Sequence, residues 1–231
     1  MLSRRWLTCV FAALSLSLLF AGVSAPRTKA DEPIAAPAVE QESAVAPEGP
    51  FSVTELTQRV RESVVVITYT GRDGRRGGLG RGFVISEDGL IATNLHVIGE
   101  ARPISIQTSD GKKHEVTEVL AAGRQLDRAV LRVRAKGLRP VPLANSSRLK
   151  QGQDVVAVGS PQGLRYSVVR GVLSGRREID EKPMLQLAIP IEPGNSGGPV
   201  MDMHGRVHGI LTMKSLVTPN LGFAVETNAL K

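Results

Sequence analysis

The chain has 231 residues, 42% of them apolar, which is enough for one domain with a real core and leaves no room for a second folded domain. Its single cysteine, Cys9, excludes a fold held by disulfides. The formal charge of +7 is unevenly spread. Residues 1–30 hold four basic and no acidic groups, residues 31–50 hold five acidic and no basic groups, and the remainder, with 25 basic and 17 acidic groups, carries +8.

Arg4 and Arg5 precede an apolar run from Trp6 to Val23 and small residues near Ala25, the pattern of a secretory signal. Cleavage after Ala25 would place Pro26 beside the scissile bond, so cleavage after Ala30 is the competing choice. The run is also about long enough to span a thinned bilayer, which keeps an uncleaved amino-terminal anchor open. Either reading places the protein outside the cytoplasm, periplasmic or secreted, with membrane attachment only if the segment stays on. Residues 31–50, rich in Ala, Pro and Glu, read as a disordered tether, and folded structure is expected over 51–231.

Ser52-Val53-Thr54-Glu55 is a capping box with Phe51 and Leu56 at the staple positions, which predicts a short helix over 53–62. Strands rich in β-branched residues then follow, separated by turn signals such as Asp88-Gly89, Asp110-Gly111 and His204-Gly205. The runs are 63–69, 82–86, 90–94, 103–107, 113–121, 129–134, 153–158, 167–174, 184–189, 199–202, 206–212 and 221–225. Twelve strands fit an all-β fold of two six-stranded antiparallel barrels.

Gly194-Asn195-Ser196-Gly197-Gly198-Pro199 sets a serine among glycines whose backbone N–H groups can face a developing oxyanion. Upstream, His96 follows the apolar strand 90–94 and Asp127 opens another strand. The order His, Asp, Ser belongs to the chymotrypsin-type double barrel, whereas the α/β-hydrolases run Ser, acid, His and the subtilisins Asp, His, Ser. His96 and Asp127 would come from the first barrel and Ser196 from the second. His96 is then the base that removes the Ser196 proton, Asp127 the carboxylate that fixes its tautomer, and the N–H groups of Gly194 and Ser196 the oxyanion donors. This chemistry needs no cofactor and no metal.

These blocks resemble those of the HtrA/Deg family of trypsin-like proteases, which read Thr-Asn-x-His-Val, Asp-Leu-Ala-Val-Leu and Pro-Gly-Asn-Ser-Gly-Gly-Pro. Gly159-Ser160-Pro161-Gln162-Gly163-Leu164 and Leu221-Gly222-Phe223-Ala224-Val225 are similar to two further family blocks, so the resemblance covers 52–228. It implies a chymotrypsin-like fold, endopeptidase activity on unfolded or exposed polypeptides, trimers formed through the amino-terminal region, and a PDZ domain after the protease domain. The chain reaches Lys231 before such a domain could begin, which leaves open a minimal protease or a piece of a longer protein.

Pro190 and Ile191 on one side, with Leu211, Thr212 and Met213 on the other, offer apolar walls and no buried acid, so cleavage after small or medium aliphatic residues is expected; each of these residues fits a barrel core equally well. The segment Gly175–Pro183 reads as a short loop, and Arg128 stands where the family prefers an aliphatic residue. Gly78-Leu79-Gly80-Arg81-Gly82 reads as a loop entering a strand, without the βαβ unit a phosphate site requires. Arg72, Arg75, Arg76 and Arg81 read as a solvated basic loop; no aromatic platform accompanies them, so no nucleic-acid partner is expected. His204 and His208 have helical metal-ligand spacing, but Gly205 marks a hairpin and argues against a metal. The rival to an enzyme is a noncatalytic polypeptide-binding module with the same fold.

Overall fold

The computed structural model describes residues 50–70, 76–99, 103–159, 167–191, 194–214 and 221–230. The leader and tether readings of 1–49 lie outside the described residues, as do Arg72 and Arg75. Ser52 caps helix α1 (Val53–Val60): its Oγ accepts from the Glu55 N–H at 3.2 Å, and the Glu55 carboxylate accepts from the Ser52 N–H at 2.9 Å. A 3-10 turn, Arg61–Ser63, carries the coil on to the first strand.

The first barrel comprises β1 (Val64–Thr70), β2 (Arg76–Val84), β3 (Leu90–Thr93), β4 (Ile104–Gln107), β5 (Lys113–Gly123) and β6 (Arg128–Val133). It closes in the order β1-β2-β3-β6-β5-β4, and one helical turn, α2 (Leu95–Ile98), leaves β3. The second comprises β7 (Asp154–Gly159), β8 (Ser167–Ile179), β9 (Lys182–Leu187), β10 (Pro199–Met201), β11 (Val207–Lys214) and β12 (Gly222–Glu226), closed as β10-β11-β12-β9-β8-β7. These are the two six-stranded antiparallel barrels the strand count predicts.

Alternation along each strand divides the apolar side chains between three cores. On β7, Val155 and Ala157 fill the second barrel, while Val156 and Val158 face a seam that also contains Val64 of β1 and Phe83 of β2. Leu56 and Val60 of α1 join the same seam, so the helix that precedes the first barrel packs where the two barrels meet. Among the described residues no helix is long and apolar enough to cross a membrane.

Two segments differ from the sequence reading. Gly78–Gly82 is not a loop but part of β2; an added Cβ at Gly82 would meet Ile91 and Ile67 of the first core at 2.8 and 2.9 Å, so this glycine is there for packing. Within that strand Arg81 is 1% exposed, not solvated. Gly175–Pro183 is a β-hairpin, with β8 and β9 joined by Asp180-Glu181 at φ of 50° and 62°, the paired positive angles of a type I′ turn.

The β10–β11 hairpin is organised by Asp202, which is fully buried. One carboxylate oxygen accepts from the N–H groups of His204 (2.9 Å) and Arg206 (3.1 Å); the other accepts from Arg206 Nε (2.8 Å) and lies 3.0 Å from His208 Nε2. His204 and His208 therefore serve a turn, and no metal-binding group of His, Cys, Asp or Glu occurs among the described residues. The turn also receives the start of the domain, since the Phe51 N–H donates to the Met203 carbonyl at 2.7 Å. Burial pushes the Asp202 carboxyl up, but the bonds from His208 and Arg206 and the backbone donors outweigh it and hold it well below the usual carboxylate range.

A carboxyl depressed in the folded state stabilises above its unfolded value, near pH 4, and that share is lost as pH falls below it. Asp202→Asn is therefore expected to cost about 3 kcal/mol at pH 7, with the gap from the parent protein narrowing below pH 4. Urea denaturation from pH 3 to 7 measures this, and a pH-independent gap would contradict it.

Candidate active site

His96 is carried by α2, whose position is fixed from both ends. Thr93, at the end of β3, donates its hydroxyl to the Arg81 carbonyl at 2.6 Å, and the buried Asn94 side chain donates to the Asp127 carbonyl at 2.8 Å. The Leu95 N–H reaches that same carbonyl at 3.2 Å. The turn between β5 and β6 thereby sits beside α2.

Asp127, in that turn, has φ 48°, a left-handed conformation that Asp tolerates better than most residues. Its Oδ1 accepts the His96 backbone N–H at 2.9 Å, and its Oδ2 lies 2.6 Å from His96 Nδ1. An ionised carboxylate can only accept, so Nδ1 carries the ring proton and Nε2 presents a lone pair. Burial pushes the Asp127 carboxyl up; the His96 side-chain and backbone bonds and the Thr212 hydroxyl outweigh it and keep it below the ordinary value. The imidazole stands at the rim, 47% exposed.

Ser196 lies between β9 and β10 of the second barrel. The loop is held on two sides. Its Ser196 carbonyl accepts from the Arg81 N–H of β2 at 2.7 Å, and Gly197 and Gly198 exchange backbone bonds of 2.8 and 2.9 Å with Leu211 of β11. Gly197 has φ +86°, and a Cβ there would overlap the Arg81 carbonyl oxygen, so no side chain could bring the strands this close. The Asn195 side chain packs against Gly159 at the end of β7, in a loop-shaping position.

Gly194 has φ +98°, which a side chain would disfavour. Neither its N–H nor that of Ser196 donates a hydrogen bond among the described residues. The Ser196 hydroxyl donates to the Thr212 carbonyl at 3.2 Å, so in this state its acceptor is not His96.

Thr212 is the functional contact that sequence reasoning missed. Expected as a pocket wall, it instead directs its hydroxyl to Asp127 Oδ2 at 2.7 Å, bridging the two barrels. Alternation contains part of this signal, because Leu211 and Thr212 on one strand cannot both wall one pocket; the rest depends on a register shift between Leu211 and Met213. Leu211 is in the core of the second barrel. Ile191 is there too, and it fills the space beside Gly222, where a Cβ would collide with it. Pro190 is exposed, and the Met213 side chain lies outside the described residues.

A model of the trypsin-like peptidase domain matches residues 80–210, more than half of the chain. The chain belongs to this family. Its resemblance to the HtrA type is equally direct. A probable periplasmic serine endoprotease, DegP-like, of Halomonas elongata is 42% identical over 144 residues, 61% of this chain and 30% of that protein. Serine protease HTRA2, mitochondrial, of Bos taurus is 33% identical over 197 residues, 78% of this chain and 42% of the relative. Among solved structures, the serine endoprotease from Yersinia pestis superposes with a TM-score of 0.70 at 30% identity, over 79% of this chain and 65% of that one. HtrA-type protease AlgW with tripeptide gives 0.70 at 27% identity, over 77% and 60%. The match thus spans 30% of the length of the DegP-like relative and 42% of that of HTRA2.

Within this trypsin-like domain the Thr212 hydroxyl is a donor to a partly buried carboxylate. Thr212→Val removes it while leaving the carbonyl that accepts from Ser196. The Asp127 pKa is expected to rise toward the ordinary value and stability at pH 7 to fall by about 1.5 kcal/mol, the loss fading as pH drops below about 4. Carboxyl titration by NMR and urea denaturation test this; an unmoved Asp127 titration would show that the hydroxyl does not stabilise the charge.

Proposed function

We infer that the chain is a serine endopeptidase that works outside the cytoplasm on unfolded or exposed polypeptides through an acyl-enzyme. The observation that carries this reading is the 2.6 Å contact of His96 Nδ1 with Asp127, which leaves Nε2 free to accept a proton, together with Thr212, which holds Asp127 with its hydroxyl and Ser196 with its carbonyl.

A modest rotation takes the Ser196 hydroxyl from the Thr212 carbonyl toward Nε2 as substrate enters. Nε2 then removes the hydroxyl proton as Oγ attacks the scissile carbonyl carbon, and the imidazolium so formed is stabilised by the Asp127 carboxylate. The oxyanion accepts from the N–H groups of Gly194 and Ser196, each such donor contributing about 10²–10³ in rate. The imidazolium returns its proton to the leaving amine, and water repeats the sequence to release the acid. No cofactor enters any step.

Ile191, filling the space next to Gly222, supports a shallow first specificity pocket suited to small or medium aliphatic side chains. Neither Ile191 nor Leu211 offers a carboxylate to a basic one. The signal-like segment 1–30, the acidic tether 31–50 and the periplasmic name of the DegP-like relatives support an envelope location. Assembly into trimers rests on the family resemblance alone.

The resting hydrogen bond of Ser196 to Thr212 favours one second reading, a latent or noncatalytic polypeptide-binding module. A phosphonate active-site probe separates the two. Stoichiometric labelling at Ser196, absent in Ser196→Ala and at least 10³-fold slower in His96→Ala, is expected; no labelling of the folded protein would sink the enzyme reading.

Pocket depth has its own test. With peptides varied at the residue before the scissile bond, Ile191→Ala should move the optimum from Ala or Val toward Leu or Phe by about tenfold or more in kcat/KM. An unchanged preference would remove Ile191 from the pocket.

A further inference from the structure

Asn94 does not do what its position usually asks. It is the N-cap of α2, with extended backbone angles of φ −84° and ψ 151°, where an asparagine ordinarily turns its side-chain oxygen back onto the N–H groups of its own helix. No such bond forms here. The buried amide leaves the helix and donates Nδ2 to the Asp127 carbonyl at 2.8 Å. Its Oδ1, buried as well, meets no donor among the described residues. Only the amide nitrogen can face a carbonyl oxygen, so the acceptor fixes which way the group points. A buried oxygen without a donor lowers stability, and the side chain keeps this orientation in spite of that cost.

The cap that Asn94 does not provide comes from Asp127. The first two N–H groups of α2 both go to that residue: Leu95 donates to its carbonyl at 3.2 Å and His96 to its Oδ1 at 2.9 Å. The two turns therefore hold each other, the side chain of Asn94 gripping the backbone of residue 127 and the side chain of Asp127 gripping the backbone of residue 96. Asp127 needs such a grip. Its φ of 48° is a left-handed conformation that a side chain adopts at a cost and that persists where the surroundings enforce it. The carbonyl carbon and Cβ leave the same Cα, so a carbonyl anchored in space leaves the carboxylate little freedom of direction.

We propose that Asn94 is a positioning residue for proton transfer: by anchoring the Asp127 carbonyl it maintains the left-handed turn from which the carboxylate reaches His96 Nδ1, and it gives up the cap of its own helix to do so. It acts only through Asp127. The proposal rests on the reading of Ser196, His96 and Asp127 as nucleophile, base and orienting carboxylate.

Two variants of the full chain separate this role from helix capping. Asn94→Ala removes the amide and any cap. Asn94→Ser supplies a residue that caps helices as well as asparagine does, but its hydroxyl ends one bond short of the Nδ2 position. Peptide hydrolysis, phosphonate labelling and the Asp127 carboxyl titration by NMR are measured beside the parent protein, with circular dichroism and urea midpoints giving the folded fraction. Per folded molecule, kcat and the labelling rate should fall about 10- to 10²-fold in both variants, with KM within about threefold of the parent value. The Asp127 carboxyl should titrate closer to the ordinary value in both, because its bonds to His96 loosen with the turn. Parent-like kcat in Asn94→Ser would reduce the role to capping and overturn the proposal. A loss carried by KM or an unmoved Asp127 titration would also overturn it. So would failure of both variants to fold, which would assign Asn94 to the fold alone. No labelling of the parent at Ser196 would sink the enzyme reading and the proposal together, whereas a labelled parent with unchanged variants would sink the proposal alone.

Discussion

The site depends on one strand residue that faces both ways across the seam. Because His96 and Ser196 belong to different barrels, neither barrel's own hydrogen-bond ladder can fix the distance between them. Arg81 does so with its backbone, donating to the Ser196 carbonyl at 2.7 Å and accepting the Thr93 hydroxyl at 2.6 Å. The Thr212 hydroxyl on Asp127, at 2.7 Å, is a second crossing, so the barrels are tied at two points. Apolar burial supplies attraction but no direction. Val156, Val158, Val64 and Phe83 make the barrels adhere, and these short polar bonds set their register.

The same division of labour governs the charges. Asp127 and Asp202 are both pushed up by burial and both brought down by hydrogen bonds, each with a histidine among the donors. Their surroundings assign them different work. Asp202 lies fully inside a hairpin turn, and its histidine is buried with it; His208 Nδ1 meets no partner there. Asp127 is partly exposed, and its histidine is half exposed, with Nδ1 on the carboxylate. A His–Asp pair becomes chemistry only where the far nitrogen can reach a reacting group.

Legibility in the sequence follows how local each signal is. The helix and twelve strands were readable because capping and β-branched alternation act over a few residues, and the motif residues because their types are rare in that order. The far end of the β8–β9 hairpin was not. Gly175–Pro183 read as a short loop, yet Gly175 sits at a register shift within the ladder, and Pro183 lies beyond the pairing with β12, where its missing N–H costs little. The Asp180-Glu181 turn also lacks the Asn or Gly that usually marks positive φ. Arg81 was misread for a similar reason: charge suggests exposure, and only the pairing of β2 reveals that position 81 turns into the seam. Thr212 needed the bulge in β11, which no spacing announces.

Arg128, adjacent to Asp127, shows why a departure from a family pattern beside a candidate site residue can leave the geometry intact. Ala129, Leu131 and Val133 fill the first barrel, so alternation sends Arg128 to the outer face of β6. There it lies across Gly123 of β5, its Cγ and Nε 3.3 Å from where a Cβ would stand, and it approaches the orienting carboxylate only through the backbone. What aims the carboxylate is the turn itself: the left-handed Asp127, its carbonyl held by Asn94 and Leu95, and its two oxygens taken by His96 and Thr212. Those bonds constrain position 127 from three directions and leave the identity of residue 128 open, so an arginine there changes the surface of the barrel and not the aim of the dyad.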